Sequence, residues 1–143
     1  MDEHRILIVD DEDEFASLLS ERLSARGLRV DTANSGPAAI EKVKSDSFDV
    51  VVLDMVMPGM DGIETLKGLR DQAPDLQVIL LTGHATVEKG VSAMKLGAAD
   101  FLEKPAELEE LLVKIREARS RKMLLIEKKS RRKIDDILGS KGW

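Results

Sequence analysis

Five side chains of this 143-residue protein are of the kinds that do chemistry together: Asp10, Asp11, Asp54, Thr82 and Lys104. Asp54 is the most conspicuous, because it closes an apolar run in "VVVLDMVMPGMDG" (Val50–Gly62). Clustered carboxylates repel one another, and each resists ionising without a counter-charge. A hard divalent cation relieves that repulsion, and Mg²⁺ favours a few carboxylates together with waters and phosphate oxygens. Lys104 adds a fixed positive charge, Thr82 a hydroxyl donor, and Gly83 an accessible backbone N–H. The set suits phosphoryl transfer, which depends mainly on positioning and charge neutralisation. Each member also has a plain structural role. An Asp-Asp pair before a helix can cap it, a threonine after a strand can be a turn residue, Lys-Pro can be a loop, and Asp54 can cap the turn behind it.

The choice depends on the elements that position these residues. "RILIV" (Arg5–Val9) reads as a buried strand, followed by a helix from about Glu12 to Arg26 with Phe15, Leu18, Leu19 and Leu23 on one face. Gly27 ends it. "LRVDTA" (Leu28–Ala33) is a weaker strand, and Ser35 and Pro37 are helix-start signals. "DVVVLD" (Asp49–Asp54) is the wholly apolar type of strand found inside a parallel sheet. A helix over Gly62–Gln72, a strand over Leu76–Thr82, a helix over Thr86–Leu96, a short strand over Ala99–Lys104 and a helix from Glu107 complete five β/α pairs in about 118 residues. Such alternation predicts an α/β fold, a doubly wound parallel sheet with helices on both faces. Function then gathers at the carboxyl ends of the strands. Those ends carry Asp10 and Asp11, then Asp54, then Thr82 with Gly83, then Lys104 with Pro105.

Bulk properties narrow the classes. The apolar fraction of 43% supports a core, the absence of cysteine excludes disulfides and thiolate metal sites, and no stretch nears the ~20 apolar residues of a membrane span. The expected location is the cytoplasm. Residues 1–118 hold 13 Lys+Arg against 24 Asp+Glu, a charge of −11, whereas residues 119–143 hold 9 against 3, a charge of +6.

In order and spacing, "LIVDDE" (Leu7–Glu12), "VLDMVMPGMDG" (Val52–Gly62), "LLTGHA" (Leu80–Ala85) and "GAADFLEKP" (Gly97–Pro105) resemble the CheY-like receiver domains of bacterial two-component response regulators. The resemblance covers about residues 4–118 and implies a flavodoxin-like (βα)₅ fold with a five-stranded parallel sheet. It implies that Asp54 accepts a phosphoryl group from a sensor histidine kinase or phosphotransfer protein. Mg²⁺ (or Mn²⁺) would be bound by Asp11, by Asp10 in an assisting role, by Asp54 and by the Val56 carbonyl. Lys104 and Thr82 would contact phosphoryl oxygens, with Gly83 beside them. Phe101 occupies the aromatic switch position, without the hydroxyl of the common tyrosine. His84 and Val56 stand where the family tunes phosphoryl lifetime, and Lys104–Pro105 is expected to be cis. The kinase is expected at the first helix near Phe15 and Leu18, and the readout surface over Thr86–Arg116. Such a chain catalyses its own phosphorylation and dephosphorylation, with no turnover of an external substrate.

The tail, 119–143, lies beyond the resemblance. Ile115, Ala118, Leu125 and Ile137 suggest that the last helix continues as a basic extension with a broken apolar stripe. A solvated helix, packing on a partner or a second copy as a homodimer, and nucleic-acid binding are the readings of its charge. The last is the least supported, since nothing resembles a helix-turn-helix and no aromatic interleaves the basic residues. Two further alternatives remain: a receiver cut from a longer transcriptional regulator, and a haloacid-dehalogenase-type phosphatase, which also uses an aspartyl nucleophile, Mg²⁺, Thr/Ser and lysine. In the latter the nucleophile ends the first strand, whereas here the lone aspartate ends the third.

Overall fold

A computed structural model describes residues 5–83 and 86–139. The elements alternate throughout: β1 (Arg5–Val9), α1 (Asp13–Ser24), β2 (Arg29–Ala33), α2 (Gly36–Ser45), β3 (Val50–Leu53), α3 (Gly62–Gln72), β4 (Gln77–Thr82), α4 (Val87–Lys95), β5 (Asp100–Glu103) and α5 (Leu108–Gly139). The five strands form one parallel sheet in the order β2-β1-β3-β4-β5. This is the expected flavodoxin-like fold.

Strand residues alternate between two cores, as a period of two requires. Leu7, Val9, Val51, Leu53, Val78 and Leu80 face one side, where they meet α2, α3 and α4 through Ala39, Leu66, Leu69 and Ala93. Ile6, Ile8, Val50, Val52, Ile79 and Leu81 face the other, against α1 and α5. Both faces of the central strands are therefore covered, which explains why β3 and β4 read as unbroken apolar runs.

Helix starts follow local chemistry. The Ser35 hydroxyl accepts the Ala38 N–H, the Asp61 carboxylate accepts the Glu64 N–H, and the Thr86 hydroxyl accepts the Lys89 N–H. The loop after β3 is held close by Gly62, whose N–H donates to the Met55 carbonyl at 2.9 Å. A Cβ on Gly62 would lie 2.5 Å from Met55 Cα and 2.8 Å from the Asp54 carbonyl oxygen, so only glycine permits this approach. Gly59, at φ +77°, turns the same loop in the left-handed region.

α5 is longer than any other helix described, spanning 32 residues, about 48 Å at 1.5 Å per residue. Its first turns bury Leu111, Leu112, Ile115 and Ala118; beyond Lys122 every residue with a described side chain is exposed. Among the described residues no helix is long and apolar enough to cross a membrane.

Candidate functional site

The sheet order reverses between β1 and β3, each strand sending its chain to an opposite side, and this opens a crevice at their carboxyl ends. The sheet's hydrogen bonding continues one residue past both strands. The Asp10 N–H donates to the Ala33 carbonyl at 3.1 Å, and the Asp54 N–H to the Val9 carbonyl at 2.9 Å. Asp10 and Asp54 are thus fixed as sheet residues rather than loop residues, and both are buried, at 2% and 6% exposure.

Neither aspartate is a helix cap. α1 has Glu12 at its N-cap position with no side-chain cap hydrogen bond, and α3 is capped by Asp61. Asp10 instead accepts the Glu12 N–H on Oδ1 at 2.9 Å and the Lys104 ammonium on Oδ2 at 2.8 Å. Asp54 Oδ1 accepts the Val56 N–H at a long 3.4 Å. Burial above all pushes the Asp54 carboxyl above its usual range; the Lys104 ammonium opposes this, the Asp10 charge adds to it, and the Val56 N–H and Thr82 hydroxyl pull back without reversing it. For Lys104, burial works against the charge, but its hydrogen bond to Asp10 and the charges of Asp10, Asp54 and Glu12 outweigh it and hold its pKa above normal.

Carboxylate oxygens of Asp10, Glu12 and Asp54 lie within 4.8 Å of one another. All three are hard oxygen donors at a spacing one small divalent cation can span, so the residues fit a Mg²⁺ site. Glu12 was not among the sequence candidates; the signal was the third acid of "DDE", which the Asp-Asp pair overshadowed. Asp11 is exposed and stands outside this group of three.

The remaining candidates occupy the same edge. Thr82 ends β4 and is fully buried, and its carbonyl accepts the Lys104 N–H at 2.9 Å. The Lys104–Pro105 peptide is cis, as expected. Gly83 is exposed with open space where a Cβ would stand, so accessibility rather than crowding distinguishes it. Val56 is exposed beside Asp54. Phe101 is half-buried against the α4 side, lining a groove of about 850 Å³ with Gly90, Val91 and Met94. His84 lies outside the described residues.

Comparison with known proteins agrees with this geometry. The family model for the response regulator receiver domain matches residues 6–116. The transcriptional regulatory protein ZraR of Klebsiella oxytoca is 41% identical over 113 residues, which cover 79% of this chain and 26% of that protein. The response regulator MprA of Mycobacterium leprae (strain TN) is 43% identical over 112 residues, 78% of this chain and 49% of that protein. The chain therefore spans a quarter to a half of the length of these relatives. A receiver domain protein from Clostridium thermocellum superposes with a TM-score of 0.81 at 35% identity, covering 85% of this chain and 98% of that one. Receiver domains of this family bind Mg²⁺ and interact with histidine kinases. With its fold, its strand-end carboxylates and its motifs in agreement, the chain belongs to the response regulator receiver domain family.

Proposed function

We propose that Asp54 is the phosphoacceptor of a phosphorylation-switched receiver. The observation that carries this reading is a buried carboxylate at the end of β3, clustered with Asp10 and Glu12 and acted on by the Lys104 ammonium. One Asp54 carboxylate oxygen attacks the phosphorus of a phosphohistidine. The P–N bond breaks, its electron pair stays on the imidazole nitrogen, and Asp54 becomes an acyl phosphate. Asp10, Asp11 and Asp54 with the Val56 carbonyl would hold Mg²⁺ or Mn²⁺, joined by Glu12. Bound there, the cation supplies charge neutralisation for the carboxylates and phosphoryl oxygens. Lys104 pairs with one phosphoryl oxygen, and Thr82 and the Gly83 N–H serve others.

Switching is a population shift toward the state in which Thr82 and Lys104 close on the new oxygens, with Phe101 turning inward. The α4–β5 groove lined by Val91, Met94 and Phe101 is the readout face for a protein target or a second copy. A groove between α1 and α5, lined by Phe15, Leu18, Pro105 and Leu111, suits the kinase or phosphotransfer protein. His84 and Val56 tune phosphoryl lifetime, and the reaction is the chain's own phosphorylation and dephosphorylation in the cytoplasm. We take residues 4–118 as the receiver and 119–143 as a basic helical extension that acts through protein rather than nucleic acid. The short span relative to ZraR and MprA favours a second reading of extent, in which the receiver is part of a longer regulator.

Incubation with acetyl phosphate and Mg²⁺, followed by intact-mass measurement, tests the proposal. The wild type gains one phosphoryl group and Asp54→Asn none; wild-type labelling of Asp54→Asn overturns the assignment.

A further inference from the structure

Lys104 Nζ lies 2.8 Å from Asp10 Oδ2 and 3.6 Å from Glu12 Oε1, and 4.0 Å from the centroid of the Phe15 ring. Carboxylates and an aromatic face together enclose the ammonium, whose side chain is only 15% exposed. Phe15 sits in the first turns of α1 and reaches the Lys104 side chain across 89 residues of sequence. From these contacts we infer that Phe15 is a positioning residue for phosphoryl acceptance, seating the Lys104 ammonium beside Asp54. The inference rests on the proposed role of Asp54.

A lysine stem has four rotatable carbons and a strongly hydrated head, so burial alone leaves the ammonium many placements. A ring face attracts a cation, more strongly the less water reaches it, and the Lys104 side chain is only 15% exposed. The attraction needs no proton, so the ring does not compete for the three N–H donors that must pass from Asp10 to phosphoryl oxygens. A carboxylate at position 15 would anchor the ammonium away from Asp54, and an aliphatic side chain would fill the space without holding the charge. The other reading, a core aromatic and nothing more, accounts for the partial burial of Phe15 against the α1–α5 core. It gives no reason for the ring face to be presented to a charge.

The test uses the full chain, acetyl phosphate and Mg²⁺, with labelling rates from intact mass. Phe15→Leu slows labelling about fivefold, the scale of a cation–π contact that is not fully desolvated, and Phe15→Tyr, which keeps the ring, recovers most of the rate. In a Lys104→Met background the Phe15→Leu step changes the rate by less than about twofold, because the two residues act as a unit. A wild-type rate for Phe15→Leu, or the same fivefold loss in both backgrounds, overturns the inference. A second readout needs no phosphoryl transfer: acetylation of Lys104 by acetic anhydride, measured by peptide mass, rises about fivefold in Phe15→Leu as the seat opens. An unchanged acetylation rate also overturns it. If the wild type takes no phosphoryl group, the Asp54 reading fails while the acetylation result still decides the seat. Phe15→Met replaces Phe15→Leu if the latter does not fold.

Discussion

At the amino-terminal end of the sheet, Asp49 accepts the Arg5 N–H at 3.0 Å and has Lys122 Nζ 3.6 Å away, whereas at the carboxyl-terminal end Asp10, Glu12 and Asp54 cluster, with Lys104 Nζ 2.8 Å from Asp10 and 3.6 Å from Glu12. The same contrast continues outward. Both carboxylate oxygens of Asp75 accept Lys129 Nζ of α5, at 2.7 and 2.9 Å, and Lys122 also donates to the Phe48 carbonyl at 2.6 Å. Acids at the amino end are matched by cations from within the chain. Asp10 and Asp54 at the carboxyl end are buried more deeply and matched less, and Asp54 is held above its usual range as a result. Charges kept for folding are neutralised locally, and those kept for chemistry are left to be neutralised by what binds.

Adding Mg²⁺ widens that contrast most. At about a hundred times its dissociation constant, a cation bound only by the folded state adds ~2.7 kcal/mol of stability. Thermal melting of the wild type registers that gain, Asp54→Asn loses most of it, and Asp75→Asn retains it. Equal gains in all three proteins would erase the distinction between the two ends.

The amino end breaks next. Lys122→Met leaves the Phe48 carbonyl without its ammonium donor and Asp49 with the Arg119 guanidinium at 3.9 Å, at about 1.5 kcal/mol, the usual size for a charged hydrogen bond. Denaturant unfolding reads the loss, and a value near zero would show that the match at this end is ornamental.

Without a divalent cation, Asp54→Asn should stabilise the protein near neutral pH by on the order of 1 kcal/mol, since it removes an incompletely compensated buried charge. The sign follows from the raised pKa. A group that binds its proton more tightly when folded contributes full stability below the unfolded carboxylate range, and that contribution is lost as pH rises through the folded value. The advantage of Asp54→Asn therefore vanishes on acidification. A melting-temperature difference that stays constant from acid to neutral pH contradicts the electrostatic origin.

Lys129→Ala has the smallest effect, about 0.3 kcal/mol, because its pair with Asp75 is exposed and screened. A loss above ~1 kcal/mol would show that this contact orders the α5 extension rather than decorating it.

The fold was legible because strand and helix periods are local. "DVVVLD" and "LQVILLT" declare buried strands, and reading only their ends picked out Asp10, Asp54, Thr82 and Lys104 on one edge. What escaped depends on contacts between distant segments. The ring of Phe15 over Lys104 joins α1 to the end of β5, and the latch from Lys122 to Phe48 spans 74 residues, so neither has a periodic signature. Glu12 was hidden by proximity. An acid beside an Asp-Asp pair reads as helix-start chemistry until the α1 cap proves to make no side-chain bond and its carboxylate joins Asp10 and Asp54. The α5 extension was foreseen as helical, but its charge invited readings about external partners before its pairing with Asp75 and Asp49 was visible.

The central claim is that the acyl phosphate forms at Asp54, and chemical mapping tests it directly. After labelling with acetyl phosphate and Mg²⁺, borohydride reduces an aspartyl phosphate to homoserine, which peptide mass locates. The account predicts homoserine at position 54; homoserine at position 10 or 11, with none at 54, would contradict it.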